Sequence, residues 1–125
     1  SIAMEALLPP KEQAVKQAER TRENLKQNIQ TARASGASEE EIFQMRSEVY
    51  GYEAAERFAA ADAKKAQWEA RYQSYRSKKQ SILNNEGLSN TDKANEIQTM
   101  QNELFNSREQ RRLSTLDRLT DKQTK

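Results

Sequence analysis

Glu39-Glu40-Glu41 is the one run of carboxylates dense enough to suggest a metal ligand set or an acid–base pair. It follows Ser38, and Ser38 with Glu41 has the spacing of a capping box. The three glutamates therefore read as the first turn of a helix whose N-terminal dipole they complement, not as a site. The chain has no His and no Cys, which removes the commonest general base, thiol nucleophiles, disulfides and the usual zinc ligands. No Gly-rich phosphate loop occurs, and Gly36, Gly51 and Gly87 all fall at helix ends. No catalytic residue, no metal site and no cofactor is expected, so the chain is not read as an enzyme.

The chemistry that remains is that of binding. Arg108, Arg111, Arg112, Arg118, Lys122 and Lys125 make the C-terminus basic, but Glu109, Asp117 and Asp121 interleave with them. No aromatic stacking platform accompanies these cations, so neither nucleic acid nor a lipid surface is the expected partner. The aromatic residues are more informative. Trp68 and Tyr75 have the helical spacing of core residues, whereas Tyr50 and Tyr52, amphipathic rings beside Gly51, suit an interface anchor better than a core. Phe58 fits burial and partner contact equally.

Long helices must position these side chains. From Tyr52 to about Leu83 neither Pro nor Gly interrupts the chain. Phe58, Ala61, Lys65, Trp68, Tyr72, Tyr75, Lys79 and Ile82 recur there at spacings of three and four, one face of an α-helix. Such a helix spans roughly 45 Å at 1.5 Å per residue, which predicts an elongated or open molecule. Leu, Ile, Val and Phe number only 19 of 125 residues, a poor inventory for a closed globule. With 21 basic and 19 acidic residues, the near-balance of charge and the regular apolar spacing argue against disorder.

Shorter helices surround the long one. Pro9-Pro10 stops a first short segment and opens a helix from Lys11 to about Ala34, whose thin stripe is Val15, Ala18, Arg22, Leu25, Ile29 and Ala32. A second, starting at Ser38, carries Ile42, Met45 and Val49 and ends at Gly51. Asn84-Asn85-Glu86-Gly87 closes the long helix, since Asn and Gly accept positive φ. Ser89 or Asn90 caps the next helix, with Ala94, Ile97, Met100, Gln101 and Leu104 inward. Ser107 with Gln110 is a further capping box for a last helix, about Arg108 to Leu119, followed by a frayed polar tail. The two C-terminal helices are expected to fold back and bury Trp68, Tyr72, Tyr75 and Ile82 against Ile97, Met100, Leu104, Phe105, Leu113 and Leu116.

The expected fold is all-α: an elongated helical arm plus a small three-helix C-terminal mini-domain built on one long helix. Residues 1–50 form the end of the arm and 51–125 the mini-domain. A self-associating coiled-coil spacer or helical scaffold is the alternative, weakened by Lys65 and Lys79 at seam positions and by the stops at Gly36, Gly51 and Gly87. No apolar run is long enough for a signal peptide or a membrane span. A start at Ser1 rather than Met suggests a processed or cloned fragment, with Ser1-Ile2-Ala3 a cloning remnant.

The run Gly36-Ala37-Ser38, then Arg46, Tyr50-Gly51-Tyr52-Glu53-Ala54-Ala55-Glu56-Arg57, Asp62, Trp68, Arg71 and Tyr75 resembles the lipase-specific foldases, steric chaperones of bacterial secreted lipases. Phe105, Arg108-Glu109 and Leu113-Ser114-Thr115-Leu116-Asp117-Arg118 are similar to that family's closing helix. The resemblance implies a non-enzymatic, all-helical chaperone that grips a secreted triacylglycerol lipase one-to-one, as part of lipid degradation. It further implies a parent tethered by its N-terminus to the inner membrane and facing the periplasm. This segment itself is expected to touch neither membrane nor nucleic acid. The family's activating motif, an Arg followed by Phe-Asp-Tyr, is absent from these 125 residues, which implies a fragment that binds a lipase without activating it. The expected partner-binding residues are Arg46, Tyr50, Tyr52, Phe58, Arg108, Arg111 and Arg112.

Overall fold

The computed structural model describes residues 2–123; Ser1 and Lys125, read above as part of a cloning remnant and of the basic terminus, lie outside the described residues. Among those residues the structure is all-α, with α1 (Ile2–Glu5), α2 (Pro10–Ala34), α3 (Glu39–Tyr50), α4 (Tyr52–Leu83), α5 (Asn90–Leu104) and α6 (Ser107–Gln123). The helices pack as two compact units, Ser1–Ala63 and Lys64–Lys125, divided within α4. The bend at Gly51, on which the division into arm and mini-domain rests, lies inside the first unit.

In the first unit, Pro10 opens α2 at a position where its missing amide costs nothing. Gln13 Nε2 donates to the carbonyls of Ala6 and Leu8 at 3.2 and 2.7 Å, and Arg20 pairs with Glu5, so polar contacts tie α1 to α2. α2 ends in a Schellman turn: Ala37 N donates to Ala32 O and Gly36 N to Arg33 O, with Gly36 at φ +89°. Ser38 then caps α3, its Oγ accepting from Glu41 N at 3.1 Å. Leu25, Ile42 and Ala55 are the buried apolar side chains. The early part of the α2 stripe stays in solvent, Val15 being 57 % exposed. α3 has 12 residues and so reaches back, at about 1.5 Å per residue, over only the last few turns of α2.

In the second unit, Trp68, Tyr72 and Tyr75 of α4 pack with Phe105 and Leu113, and Met100, Leu104 and Leu116 close the edges. Phe105 is the centrepiece, edge-on to Trp68 and to Tyr75 with ring centroids 5.5 Å from each, the geometry in which ring edges meet electron-rich faces. Ile82 and Ile97, expected in this core, are only partly buried and Ala94 is exposed. The rings gather around the C-terminal end of α5, and Ile97 lies two turns back from Phe105 while Ile82 lies two turns beyond Tyr75.

Three boundaries differ from the sequence reading. Only Gly36 and Gly51 take positive φ among the described residues, so the loop after α4 closes differently. Asn85 Oδ1 accepts from Gly87 N at 2.9 Å, and Lys93 Nζ donates to Leu83 O at 2.8 Å, a side-chain route to the same turn. Ser89 is the cap of α5, accepting from Asp92 N at 3.0 Å. The box before α6 is Asn106 with Glu109, not Ser107 with Gln110: Glu109 N donates to Asn106 Oδ1 at 2.9 Å and Asn106 N to Glu109 Oε1 at 3.1 Å. Gln110 instead donates to Phe105 O at 3.0 Å. Finally, α6 continues to Gln123, because its last turns are bonded to α4.

That bonding centres on Asp117, buried at 9 % exposure. Its Oδ1 accepts from Tyr72 OH at 3.0 Å and Arg76 Nη1 at 3.1 Å, and its Oδ2 from Tyr75 OH at 3.1 Å and Lys79 Nζ at 3.2 Å. Four donors fill the four acceptor positions of one carboxylate. Gln101 Nε2 donates to Tyr75 OH at 2.8 Å, and Arg76 also reaches Asp121 at 2.9 Å.

Burial pushes both phenols above the ordinary tyrosine range, and the Asp117 charge adds to the effect. Ionising either would remove a donor and set two negative charges together. A group raised on folding supports the fold fully below its unfolded pKa and loses that support as pH climbs toward its folded value. Urea stability of this unit is therefore expected to hold until about pH 10 and to fall above it, with Tyr75→Phe flattening the fall. An unchanged stability through pH 11 would contradict the assignment.

Candidate partner-binding surface

α3 and α4 meet at Gly51, and the junction fixes what they display. Gly51 N donates to Ser47 O at 2.8 Å while Gly51 O accepts from Ala55 N at 3.1 Å, so one residue serves as the end of one helix and the start of the next. Its φ of +90° and ψ of 165° lie in a region essentially reserved for glycine. Tyr50 closes α3, Tyr52 opens α4, and Phe58 follows two turns along.

These rings face solvent but are not loose. Tyr52 is 62 % exposed, Phe58 43 %, Val49 41 % and Tyr50 40 %. Tyr50 leans on Phe58 with centroids 5.8 Å apart, and Phe43 meets Tyr52 edge-on at 5.3 Å. Arg46 lies with its guanidinium carbon 5.1 Å from the Phe58 centroid and donates to Asp62 Oδ2 at 2.7 Å. Asp62 Oδ2 also accepts from Arg33 at 3.1 Å, and Arg33 pairs with Glu39. The ends of α2 and α3 are thereby clamped to α4. The result is two exposed ring pairs on either side of Gly51, Tyr50 on Phe58 and Tyr52 on Phe43, each held in place by these contacts. Large amphipathic rings with few rotatable bonds are well suited to anchor a protein interface.

The seven expected contact residues divide into three kinds. Tyr50 and Phe58 come together across the junction, while Tyr52 pairs with Phe43. Arg46 stacks on the Phe58 ring alone, its side chain 13 % exposed, and acts as a positioning residue. Arg108, Arg111 and Arg112 belong to the second unit, where Arg108 and Arg111 are exposed and Arg112 covers the Trp68 ring at 4.4 Å. Arg71 adds a second lid there, 5.5 Å from both Trp68 and Phe105 and bonded to Glu109 at 2.6 Å. The Arg71 hydrogen bond is the main reason the Glu109 carboxyl is held below its ordinary range. Sequence reasoning omitted Phe43 and Val49 from the patch. Their signal was their place on α3, Val49 two turns beyond buried Ile42 on the same face and beside Tyr50, and Phe43 on the flank next to Ile42.

Residues 2–110 match the family described as proteobacterial lipase chaperone protein. Among curated proteins, the lipase chaperones of Stutzerimonas stutzeri (strain A1501) and Ectopseudomonas mendocina are each 30% identical over 80 residues, which is 64% of this chain and 24% of either relative. The chain thus spans about a quarter of the length of the curated relatives it matches. Since the family match runs through every helix up to the first turn of α6, this chain belongs to the proteobacterial lipase chaperone family.

Proposed function

We propose that this chain holds a secreted triacylglycerol lipase, one-to-one, on the periplasmic side of the bacterial inner membrane and assists its folding as a steric chaperone. The observation that supports this most is the pre-ordered aromatic corner of Tyr50, Tyr52 and Phe58, solvent-facing in a member of a lipase chaperone family. Arg108 and Arg111 are a separate expected contact on the second unit, while Arg46 steadies the Phe58 ring and Arg112 covers Trp68. Such a surface lowers a folding barrier when it meets the late transition state of the lipase more favourably than the trapped intermediate. No bond needs to be made or broken. Side chains held rigid before contact lose little entropy on binding, so a modest area can suffice.

The activating Arg and Phe-Asp-Tyr sequence is not among these residues, so holding is expected without full activation. When a triacylglycerol lipase refolds from urea beside this chain, the two are expected to co-elute at one-to-one stoichiometry with little lipase activity restored. A chain that dimerises with concentration and elutes free of lipase would favour the scaffold reading. Full recovery of activity would contradict the division between holding and activating.

A further inference from the structure

The acids that interleave with the basic residues of α6 do not neutralise its outer face. Glu109 turns toward α4 and pairs with Arg71; Asp117 meets Arg76 and Lys79; Asp121 meets Arg76. Leu113, Leu116 and Asp117 mark the side of α6 that packs on the core. Arg108, Arg111, Thr115, Arg118 and Lys122 recur at spacings of three and four on the opposite side, and Arg108, Arg111, Arg118 and Lys122 are exposed. Among the described residues none of these four cations has an acidic partner. Charge that looks balanced along the sequence is separated across the helix, with Glu109 and Asp117 turned to α4, Asp121 exposed at its edge and paired with Arg76, and the four cations outward.

We infer that the outer row of α6, Arg108, Arg111, Arg118 and Lys122, is a docking strip for a carboxylate-rich surface of a folded protein. Three of the four are arginines, whose planar fork accepts a carboxylate with two parallel hydrogen bonds. A single-stranded nucleic acid needs exposed rings to stack on, and the rings of this unit, Trp68, Tyr72, Tyr75 and Phe105, are all buried. A bilayer needs an apolar face to insert, and Leu119, 52 % exposed, is the one exposed large apolar side chain of α6 among the described residues. The row offers charge and little else, which steers association and sets salt dependence more than it adds affinity. Arg111, Arg118 and Lys122 lie beyond residues 2–110, the part matched by the family, and Arg108 lies within it. That the acidic surface belongs to the lipase rests on the function proposed above.

The test compares the full chain with a variant carrying Arg108→Gln, Arg111→Gln, Arg118→Gln and Lys122→Gln. Glutamine keeps the helix propensity, and an unchanged thermal midpoint confirms folding. Affinity is measured for a refolding triacylglycerol lipase, a poly-glutamate peptide, duplex DNA and phosphatidylserine vesicles, each from about 50 to about 200 mM salt. The expected result is about tenfold weaker binding of the variant to lipase at low salt, a flatter salt dependence, and a parallel loss on poly-glutamate. Unchanged affinity and salt slope on both probes would overturn the strip, as would tighter binding to DNA or to vesicles than to either carboxylate partner. Retention on poly-glutamate that requires the row, with no lipase binding by either form, would sink the lipase reading and leave the strip standing.

Discussion

Asp117→Ala is expected to destabilise the second unit by about 3 kcal/mol, the cost of stripping a buried ion-pair network of its central charge. The four donors around this carboxylate come from Tyr72, Tyr75, Arg76 and Lys79, and alanine removes this shared acceptor from all of them. Arg76 keeps Asp121 and Tyr72 keeps Thr120 Oγ1 at 3.1 Å, and Lys79, its side chain 21% exposed, recovers part of the loss from water; the buried Tyr75 hydroxyl is left with no other acceptor. Asp117→Asn keeps one acceptor oxygen and removes the charge, so it should fall between. Small helical units have little stability in reserve, and Asp117 joins the middle of α6 to α4 through four donors, so the alanine variant should lose α6 first. Urea unfolding followed by the fluorescence of Trp68, the single tryptophan, reads the effect directly. An alanine variant with the wild-type midpoint would mean that Leu113, Leu116 and the Arg71–Glu109 pair hold α6 without this network.

The double variant Tyr50→Ala, Phe58→Ala is expected to weaken lipase binding by about fiftyfold, the scale of removing a central aromatic anchor from an interface. Both rings are substantially exposed, so urea stability of the first unit should change by no more than about 0.5 kcal/mol. That separation matters, since it distinguishes a contact surface from a packing defect. Arg46 loses its ring partner in this variant but keeps Asp62. Val15→Ala, equally apolar and 57 % exposed on α2, serves as the control and should leave affinity unchanged. Loss of binding in the control to the same degree would point to a diffuse apolar contact instead of this corner.

Much of this architecture is legible in the sequence because its punctuation is local. Gly36 and Gly51 stop helices by a backbone geometry few other residues tolerate, and Ser38 and Ser89 start them with hydroxyls aimed at the next turn. The spacing of Trp68, Tyr72 and Tyr75 placed the core of the second unit. What stayed hidden depends on how helices rotate against one another. Asp117 reads in sequence as one acid diluting a basic terminus; its burial becomes visible only when Tyr72, Tyr75, Arg76 and Lys79 are seen to point at it together. Lys79, on the same stripe as Trp68, Tyr72 and Tyr75, was the available clue, since a cation on a packed face requires an anion opposite. Arg46 and Arg112 look like free surface charges until Asp62, Phe58 and Trp68 are found beneath them. The inward turn of Glu109, Asp117 and Asp121 was hidden for the same reason, and with it the uncancelled row on α6.

The central claim is that the aromatic corner touches a lipase. A photoreactive phenylalanine analogue placed at Tyr52 tests it most directly, with a second chain carrying the analogue at Asp92 on the exposed first turn of α5 as reference. Illumination during lipase refolding should give a one-to-one adduct from position 52 and little from position 92. Equal adducts from both positions, or cross-links joining two copies of this chain in place of a lipase, would contradict the account.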